Sequence, residues 1–269
     1  MPNNICALRE ADLPRLLRLT SDAGWNQTEA DWRRLLKLSP DGCFGLRVDD
    51  EVVATTTTVC FGSELAWIGM VLTLPAFRRL GFARVLMQHA LEVLQARGLR
   101  LIGLDATPMG QPLYESLGFR SVAVVERWLR PASDVMHSDT RCSRGWLSEL
   151  DRAAFGADRS ALLNELAVES AVIDDQAFAM TRPGAHAAYF GPCIAIGSNA
   201  AEHLLTWCLA RWPGNAVYWD LLAENTQALR LAQAYGFERT RVLSRMFYGS
   251  QHAVGEPAQT FAIAGLEYG

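Results

Sequence analysis

The chain has 269 residues, enough for two domains of about 135 residues each. Half of the residues are hydrophobic and a fifth are charged, a composition that excludes disordered and fibrous proteins. The net charge of −4 belongs to the part after residue 134, because the first part has 15 basic and 15 acidic residues and the rest has 10 and 14. Since neither part is basic, the composition argues against a nucleic-acid partner.

The six cysteines are never closer than 15 positions, so their spacing predicts neither a disulfide framework nor a metal site. The first residues lack the apolar core of a signal peptide. No uninterrupted apolar run approaches the ~20 residues that cross a bilayer. We therefore expect a soluble, cytoplasmic protein with no membrane partner.

The first elements are predicted as helices followed by antiparallel strands. A strand over residues 5–8 precedes a helix over 11–23, and Thr28 with Asp31 resembles a capping box at the start of a helix. Three strands rich in Val, Thr and aromatic residues are predicted at residues 44–48, 52–61 and 65–73.

After Pro75 the apolar residues follow a helical period up to Gly98. A buried strand over 99–104, a short helix over 111–117 and a final strand over 121–129 complete a mixed α/β layer.

A polar, unpatterned stretch over residues 132–145 predicts a linker between a first domain, 1–131, and a second, 146–269. The second unit begins with predicted helices at 146–154 and 160–168.

A weak internal repeat crosses this linker. Residues 101–107 followed by 114–119 parallel residues 217–225 followed by 232–237, each with a strand, an Asp, a short helix and a Gly-Phe pair. The repeat predicts two diverged copies of one fold.

The informative motif is the segment from Val71 to Arg84, in which a strand leads through Arg78-x-x-Gly81-x-Ala83 into a long helix. Such a turn directs free backbone N–H groups and the positive helix end at one point. A pyrophosphate suits that geometry better than a single carboxylate.

This loop and the later Tyr114-x-x-Leu-Gly-Phe119 segment resemble the GNAT N-acetyltransferase superfamily, whose V-x-P-x-x-R-x-x-G-x-G/A loop and Y-x-x-L-G-F segment occur in the same order. Thr73 replaces the usual Val, and Ala83 takes the final Gly/Ala position. The resemblance covers about residues 5–130.

Further segments look like a two-domain GNAT subfamily with a degenerate GNAT-like second domain. The resemblance implies an α/β (α+β) protein of tandem GNAT folds, each a mixed, mostly antiparallel sheet flanked by helices. The segments that carry it are Gly24-Trp25-Asn26, Trp67-Ile-Gly-Met70, residues 104–114, Phe155-Gly156, Gly191-Pro192, Tyr235-Gly236-Phe237 and the closing Ala264-Gly265-Leu266-Glu267.

The resemblance implies acetyl-CoA as cofactor and direct attack by an amine on its thioester. Backbone groups of Val71 and Thr73 would pair with the pantetheine arm, and an N–H near Val71 or Leu72 would polarise the thioester carbonyl. The pyrophosphate would lie on the loop residues Arg78, Arg79, Leu80, Gly81, Phe82, Ala83 and Arg84.

Tyr114 matches the general acid of the family, because a phenol of pKa ~10 suits a thiolate leaving group near ~8.5. A packing role for this ring stays open. Glu64, Asp105 or a relayed water are the candidates for general base. The acceptor pocket would include Trp25, Asn26 and Trp67, although core packing is an equal reading for both tryptophans.

The second copy lacks both signatures, since residues 195–201 have no Arg-x-x-Gly-x-Ala and Ala232 stands where Tyr114 stands in the first. We therefore expect it to cover or complete the acceptor site. The function expected is transfer of acetyl to a primary amine of a small molecule, by a monomer or homodimer. Protein lysine or N-terminal acetylation and a non-catalytic acyl-CoA sensor are the alternatives.

Overall fold

The computed structural model describes residues 4–133, 142–252 and 254–269. The predicted linker at 132–145 therefore falls largely outside the described residues. The strands in the described part are β1 (Asn4–Ala7), β2 (Cys43–Val48), β3 (Glu51–Phe61), β4 (Leu65–Thr73), β5 (Leu101–Ala106), β6 (Arg120–Arg130), β7 (Ser170–Ile173), β8 (Ala177–Arg182), β9 (Ala188–Ala195), β10 (Val217–Leu222), β11 (Glu238–Tyr248) and β12 (Thr260–Ala262).

Eight α-helices are present in the described residues. They are α1 (Leu13–Asp22), α2 (Glu29–Leu38), α3 (Phe82–Ala96), α4 (Gln111–Ser116), α5 (Ser148–Phe155), α6 (Ser160–Leu166), α7 (Ser198–Arg211) and α8 (Thr226–Ala234). Within the described residues, no helix combines the length and hydropathy that a membrane span requires.

Most predicted elements of the first half lie within a few residues of their observed positions. The capping box is confirmed, because the N–H of Thr28 donates to Asp31 Oδ2 at 2.8 Å. The strand predicted from residue 99 begins later. Gly98 has a φ of +84°, and the N–H of Leu99 donates to the carbonyl of Leu94 at 3.1 Å. Residue 99 therefore closes a Schellman turn at the end of α3.

All the strands form one mixed sheet, in the order β1-β2-β3-β4-β5-β11-β6-β10-β9-β8-β7, with β12 paired to β9 off this path. The pairs β4–β5 and β9–β10 are parallel and the others are antiparallel. Helices flank the sheet, α3 beside β2, β3 and β4 and α7 beside β7, β8 and β9. The predicted mixed α/β fold is confirmed.

The two halves exchange their final strands. β11, from the second half, pairs antiparallel with β5, and β6, from the first half, pairs antiparallel with β10. β6 and β11 also pair with each other along nearly their whole length. Each half of the sheet therefore contains a strand from the other half, and one ladder of hydrogen bonds runs through both.

The last residues of the chain lie against the first half. We call residues 263–269 the C-terminal segment. The indole Nε1 of Trp67 donates to the carbonyl of Leu266 at 3.1 Å, and Gln27 Nε2 donates to the carboxylate of Glu267 at 2.8 Å. The segment passes so close to β4 that a Cβ on Gly69 would lie 2.8 Å from the Cα of Glu267. Only glycine fits at this position without a backbone shift.

We expect Gly69→Ala to lower the free energy of unfolding by about 1–3 kcal/mol, because overpacking against backbone forces the neighbouring chain to move. Chemical denaturation measures the loss. Gly197→Ala is the matched control, since an added Cβ there meets nothing within 4 Å. Equal stability of the two variants would contradict the close contact between β4 and the C-terminal segment.

Candidate functional site

The site begins where β4 separates from β5. The two strands pair only from Leu65 with Leu101 to Trp67 with Gly103, although β4 continues to Thr73. Met70 has a φ of +49°, and the register of β4 on β3 shifts at this point. A bulge of this kind bends one strand away from its neighbour. Beyond Trp67, the edge of β4 is therefore not paired with β5 and faces an opening between the two strands.

The predicted phosphate loop leads from β4 into α3. Arg79 and Gly81 have φ values of +65° and +86°, and α3 begins directly afterwards at Phe82. Among the described residues, no acceptor contacts the backbone N–H groups of residues 81–84. A Cβ on Gly81 would meet nothing within 4 Å, so the space in front of these groups is open. The loop has the free donors and the room that a phosphate needs.

The arginines of this loop point in different directions. Arg78 Nε donates to the carbonyl of Thr73 at 3.2 Å, and Arg84 Nη2 donates to Ser116 Oγ at 2.9 Å. Leu80 is 61% exposed. The side chain of Arg78 thus holds the loop against the end of β4.

A partly open cavity lies beside the separated strands. Both halves of the chain contribute to its wall. The lining residues are Trp25, Gln27, Ile68, Gly69, Met70, Val71, Leu104, Asp105, Thr107, Tyr114, Arg127, Arg241, Leu243, Leu266 and Glu267.

Tyr114 lies on α4 and is 8% exposed. Its ring packs edge-on against Phe119, and an added Cβ on Gly110 would lie 3.2 Å from its hydroxyl oxygen. The hydroxyl makes no hydrogen bond to any described residue. Burial raises the pKa of Tyr114 well above its usual value, so the phenol stays protonated at neutral pH. A protonated hydroxyl in the cavity wall can donate to a leaving group.

The two carboxylates predicted as general bases occupy different environments. Glu64 is exposed in the turn before β4 and does not line the cavity. Asp105 lines it, but its buried carboxylate accepts two hydrogen bonds from Arg245, at 2.9 and 2.8 Å. Burial raises the pKa of Asp105 above its ordinary value, despite the opposing charge of Arg245.

Of the three residues predicted for the acceptor pocket, one lines the cavity and two do not. Trp25 lines the cavity. The amide of Asn26 instead holds the second half, donating to the carbonyl of Ala187 at 3.0 Å and accepting from the N–H of His186 at 2.9 Å. Trp67 is fully buried under the C-terminal segment, outside the cavity wall.

Sequence reasoning assigned no role to the cavity residues that the second half supplies. Glu267 is the clearest of them. Its carboxylate accepts from Gln27 Nε2 at 2.8 Å and lies 3.4 Å from Arg182. Burial raises the pKa of Glu267 above its ordinary value and outweighs the charge of Arg182. In the sequence, residues 264–267 resemble a two-domain GNAT subfamily. That resemblance predicts the family of the chain but no role for Glu267.

Behind Glu267 the same arginine approaches a second carboxylate. Arg182 Nε lies 3.5 Å from Asp31, which also pairs with Arg34 at 2.7 Å. Burial acts to raise the pKa of Asp31, but Arg182 and Arg34 outweigh it and hold it below its ordinary value. These charges compensate one another, and they attach the C-terminal segment to α2.

Two family comparisons match the chain in tandem. Residues 9–119 match the Acetyltransferase (GNAT) family, and residues 147–262 match an Acetyltransferase (GNAT) domain. Together these matches cover most of the chain.

Three similar proteins match along nearly the whole chain. The uncharacterized N-acetyltransferase YitH of Bacillus subtilis is 27% identical over 91% of this chain and 92% of its own length. Holothin acyltransferase of Pseudoalteromonas is 25% identical over 91% of this chain and 87% of its own length. A putative acetyltransferase from Pyrococcus horikoshii, 20% identical, superposes with a TM-score of 0.88 over 98% of this chain and 95% of its own, which shows the shared fold.

The loop, the separated strands and the tandem matches lead to one conclusion. This chain belongs to the GNAT acetyltransferases, carries two GNAT domains and is an acyl-CoA-dependent transferase.

Proposed function

We propose that the first GNAT domain transfers an acetyl group from acetyl-CoA to an amine of a small molecule, by direct attack. The observation that carries this proposal is the cavity beside β4, because it joins the free edge of β4, the Tyr114 side chain and buried carboxylates in one space. The C-terminal segment forms part of its wall. A partly closed cavity suits a small acceptor better than a lysine on a protein surface.

The first domain has the groups that acetyl-CoA needs. The cofactor supplies an activated thioester. The free N–H groups at the start of α3 would hold its pyrophosphate, and Arg78, Arg79 and Arg84 would add positive charge around the loop. The unpaired edge of β4 at Val71, Leu72 and Thr73 would receive the pantetheine arm as a neighbouring strand would.

Transfer of the acetyl group then needs a proton donor for the sulfur and a proton acceptor for the amine. With acetyl-CoA bound, the amine nitrogen would bond to the acetyl carbon as the carbon–sulfur bond breaks. An N–H near Val71 would stabilise the charge on the carbonyl oxygen, and Tyr114 would give its proton to the sulfur. A carboxylate of the cavity wall would take the proton that the amine loses. Asp105 and Glu267 lie there, whereas Glu64 does not.

The second GNAT domain completes this site without catalysing transfer itself. The equivalent turn before α7 has Gly197 but no arginine in the loop, and the equivalent of Tyr114 is the buried Ala232. Its contribution is structural and electrostatic, through β11 and the C-terminal segment.

Release of free CoA thiol from acetyl-CoA, followed with a panel of small amines and a lysine peptide, tests the proposal directly. We expect turnover with a small amine and little with the peptide. Turnover only with the peptide would identify a protein acetyltransferase. Tight binding of acetyl-CoA with no turnover on any amine would identify a sensor.

Gly81→Ala should weaken acetyl-CoA binding by about tenfold or more, because a side chain at this position stands where the phosphate oxygens would approach the backbone donors. Calorimetric titration with acetyl-CoA measures the change. Gly98→Ala is the matched control, since Gly98 also has a positive φ, +84°, and open space around it but lies at the other end of α3. Equal affinity of the two variants would remove Gly81 from the phosphate site.

Tyr114→Phe should lower kcat by about 10²-fold and leave the Kd for acetyl-CoA unchanged, because the variant keeps the ring and loses only the acidic proton. Steady-state thiol release measures kcat. Tyr248→Phe is the control, since that hydroxyl accepts from Gln95 at 3.0 Å outside the cavity. A fully active Tyr114→Phe enzyme would leave the ring with a packing role alone.

A further inference from the structure

The charged side chains of the cavity are compensated, with one exception. Four of them line its wall, namely Asp105, Arg127, Arg241 and Glu267. Asp105 is paired with Arg245, and Glu267 lies beside Arg182 and Gln27. Arg127 forms two hydrogen bonds to Asp220, at 2.8 and 2.7 Å.

Arg241 has no such partner. Its guanidinium makes no hydrogen bond, ion pair or ring contact with any residue that the structure describes, although the side chain is only half-exposed to solvent. Among the residues that the structure describes, the positive charge of Arg241 therefore has no paired anion in the cavity wall. Partly buried cations are stabilised by an anion, and the planar fork of a guanidinium fits a carboxylate with two parallel hydrogen bonds.

A bulge in β11 directs this arginine into the cavity. The register of β11 on β6 shifts between Arg239 and Arg241, and the hydroxyl of the extra residue, Thr240, donates to the carbonyl of Arg127 at 3.1 Å. In a regular strand, residues 239 and 241 would share one face. The extra residue lets Arg239 pair with Glu126 at 2.6 Å and sets Arg241 opposite Arg127, on the cavity side.

The same side of the strand carries further cavity groups. Leu243 follows Arg241 along the wall, and Arg245 pairs with Asp105. Because β11 runs antiparallel to β5 from Tyr248 to Ser244, Arg241 lies past the end of β5, towards the entry to α4. It lines the same cavity as Tyr114 and Thr107, and the wall of this cavity includes none of the loop residues 78–84.

We propose that Arg241 binds a carboxylate of the acceptor, so that the substrate of this enzyme is a small amine that also carries a carboxylate, as an amino acid does. This inference rests on the proposed function. Binding the carboxylate holds the acceptor by one end and leaves its amine free to reach the thioester. The second domain would thereby choose the acceptor of the first.

The test compares α-amino acids with the amines formed from them by decarboxylation, as acceptors of acetyl from acetyl-CoA. We expect kcat/KM to be higher by about tenfold or more for the member of each pair that keeps the carboxylate. Arg241→Gln should remove this preference by raising KM for the acids, with little change for the amines, and Arg241→Lys should restore part of it. The Kd for acetyl-CoA should stay unchanged in both variants.

Arg239→Gln is the matched control, because it removes an arginine of the same strand that lies outside the cavity wall. It should keep the preference for acids. Equal turnover of acids and amines by the unmodified enzyme would overturn the inference while leaving the proposed function intact. A weaker Kd for acetyl-CoA in Arg241→Gln would instead assign the arginine to the cofactor and also overturn it.

Absence of turnover with every amine would count against the proposed function, and the inference then has its own readout. Calorimetric titration of the CoA-saturated protein with the same amino acids should show binding that Arg241→Gln abolishes. Failure of the acids to bind, or binding that the variant does not change, would overturn the inference by itself.

Discussion

The pairing of β6 with β11 is the constraint on which the rest of this structure depends. β6 belongs to the first half of the chain and pairs with β10 of the second, whereas β11 belongs to the second half and pairs with β5 of the first. Neither half of the sheet is therefore complete alone. At the centre of this junction, Arg127 on β6 and Asp220 on β10 form a buried ion pair with two hydrogen bonds. Loss of one partner would leave an uncompensated charge in the interior, a costly state that fixes which strands meet.

The same exchange builds the candidate site. β11 lies directly beside β5 and brings Arg245 to Asp105 and Arg241 to the cavity. The C-terminal segment returns over β4 and adds Glu267. The first domain contributes the free strand edge, the helix start and Tyr114, which the proposed function assigns to the cofactor. The second domain contributes Arg241 and Glu267, which the proposals assign to the acceptor.

What the sequence alone could predict follows from this division. The phosphate loop and Tyr114 depend on contiguous residues, and a strand, a turn with glycine and a helix suffice to indicate them. The mixed fold was also predictable, because the periods of its strands and helices are local. The strand exchange, by contrast, leaves no signal in either strand, since β6 and β11 read as ordinary final strands of their own repeats. Arg241 and Glu267 reach the cavity only through that exchange and through the chain's last residues. For Trp67 a pocket role and a packing role look the same in sequence, and the contact with Leu266 lies almost 200 positions away.

Exchange of the final strands also bears on how a second domain is retained when it lacks the loop and the tyrosine of the first. The second copy carries neither the arginine loop nor the tyrosine of the first, yet without β11 the strand β5 would present an open, apolar edge to solvent. Deleting the copy would thus remove a strand from the sheet of the first half. The two copies are therefore joined by backbone pairing, whatever chemistry the second performs.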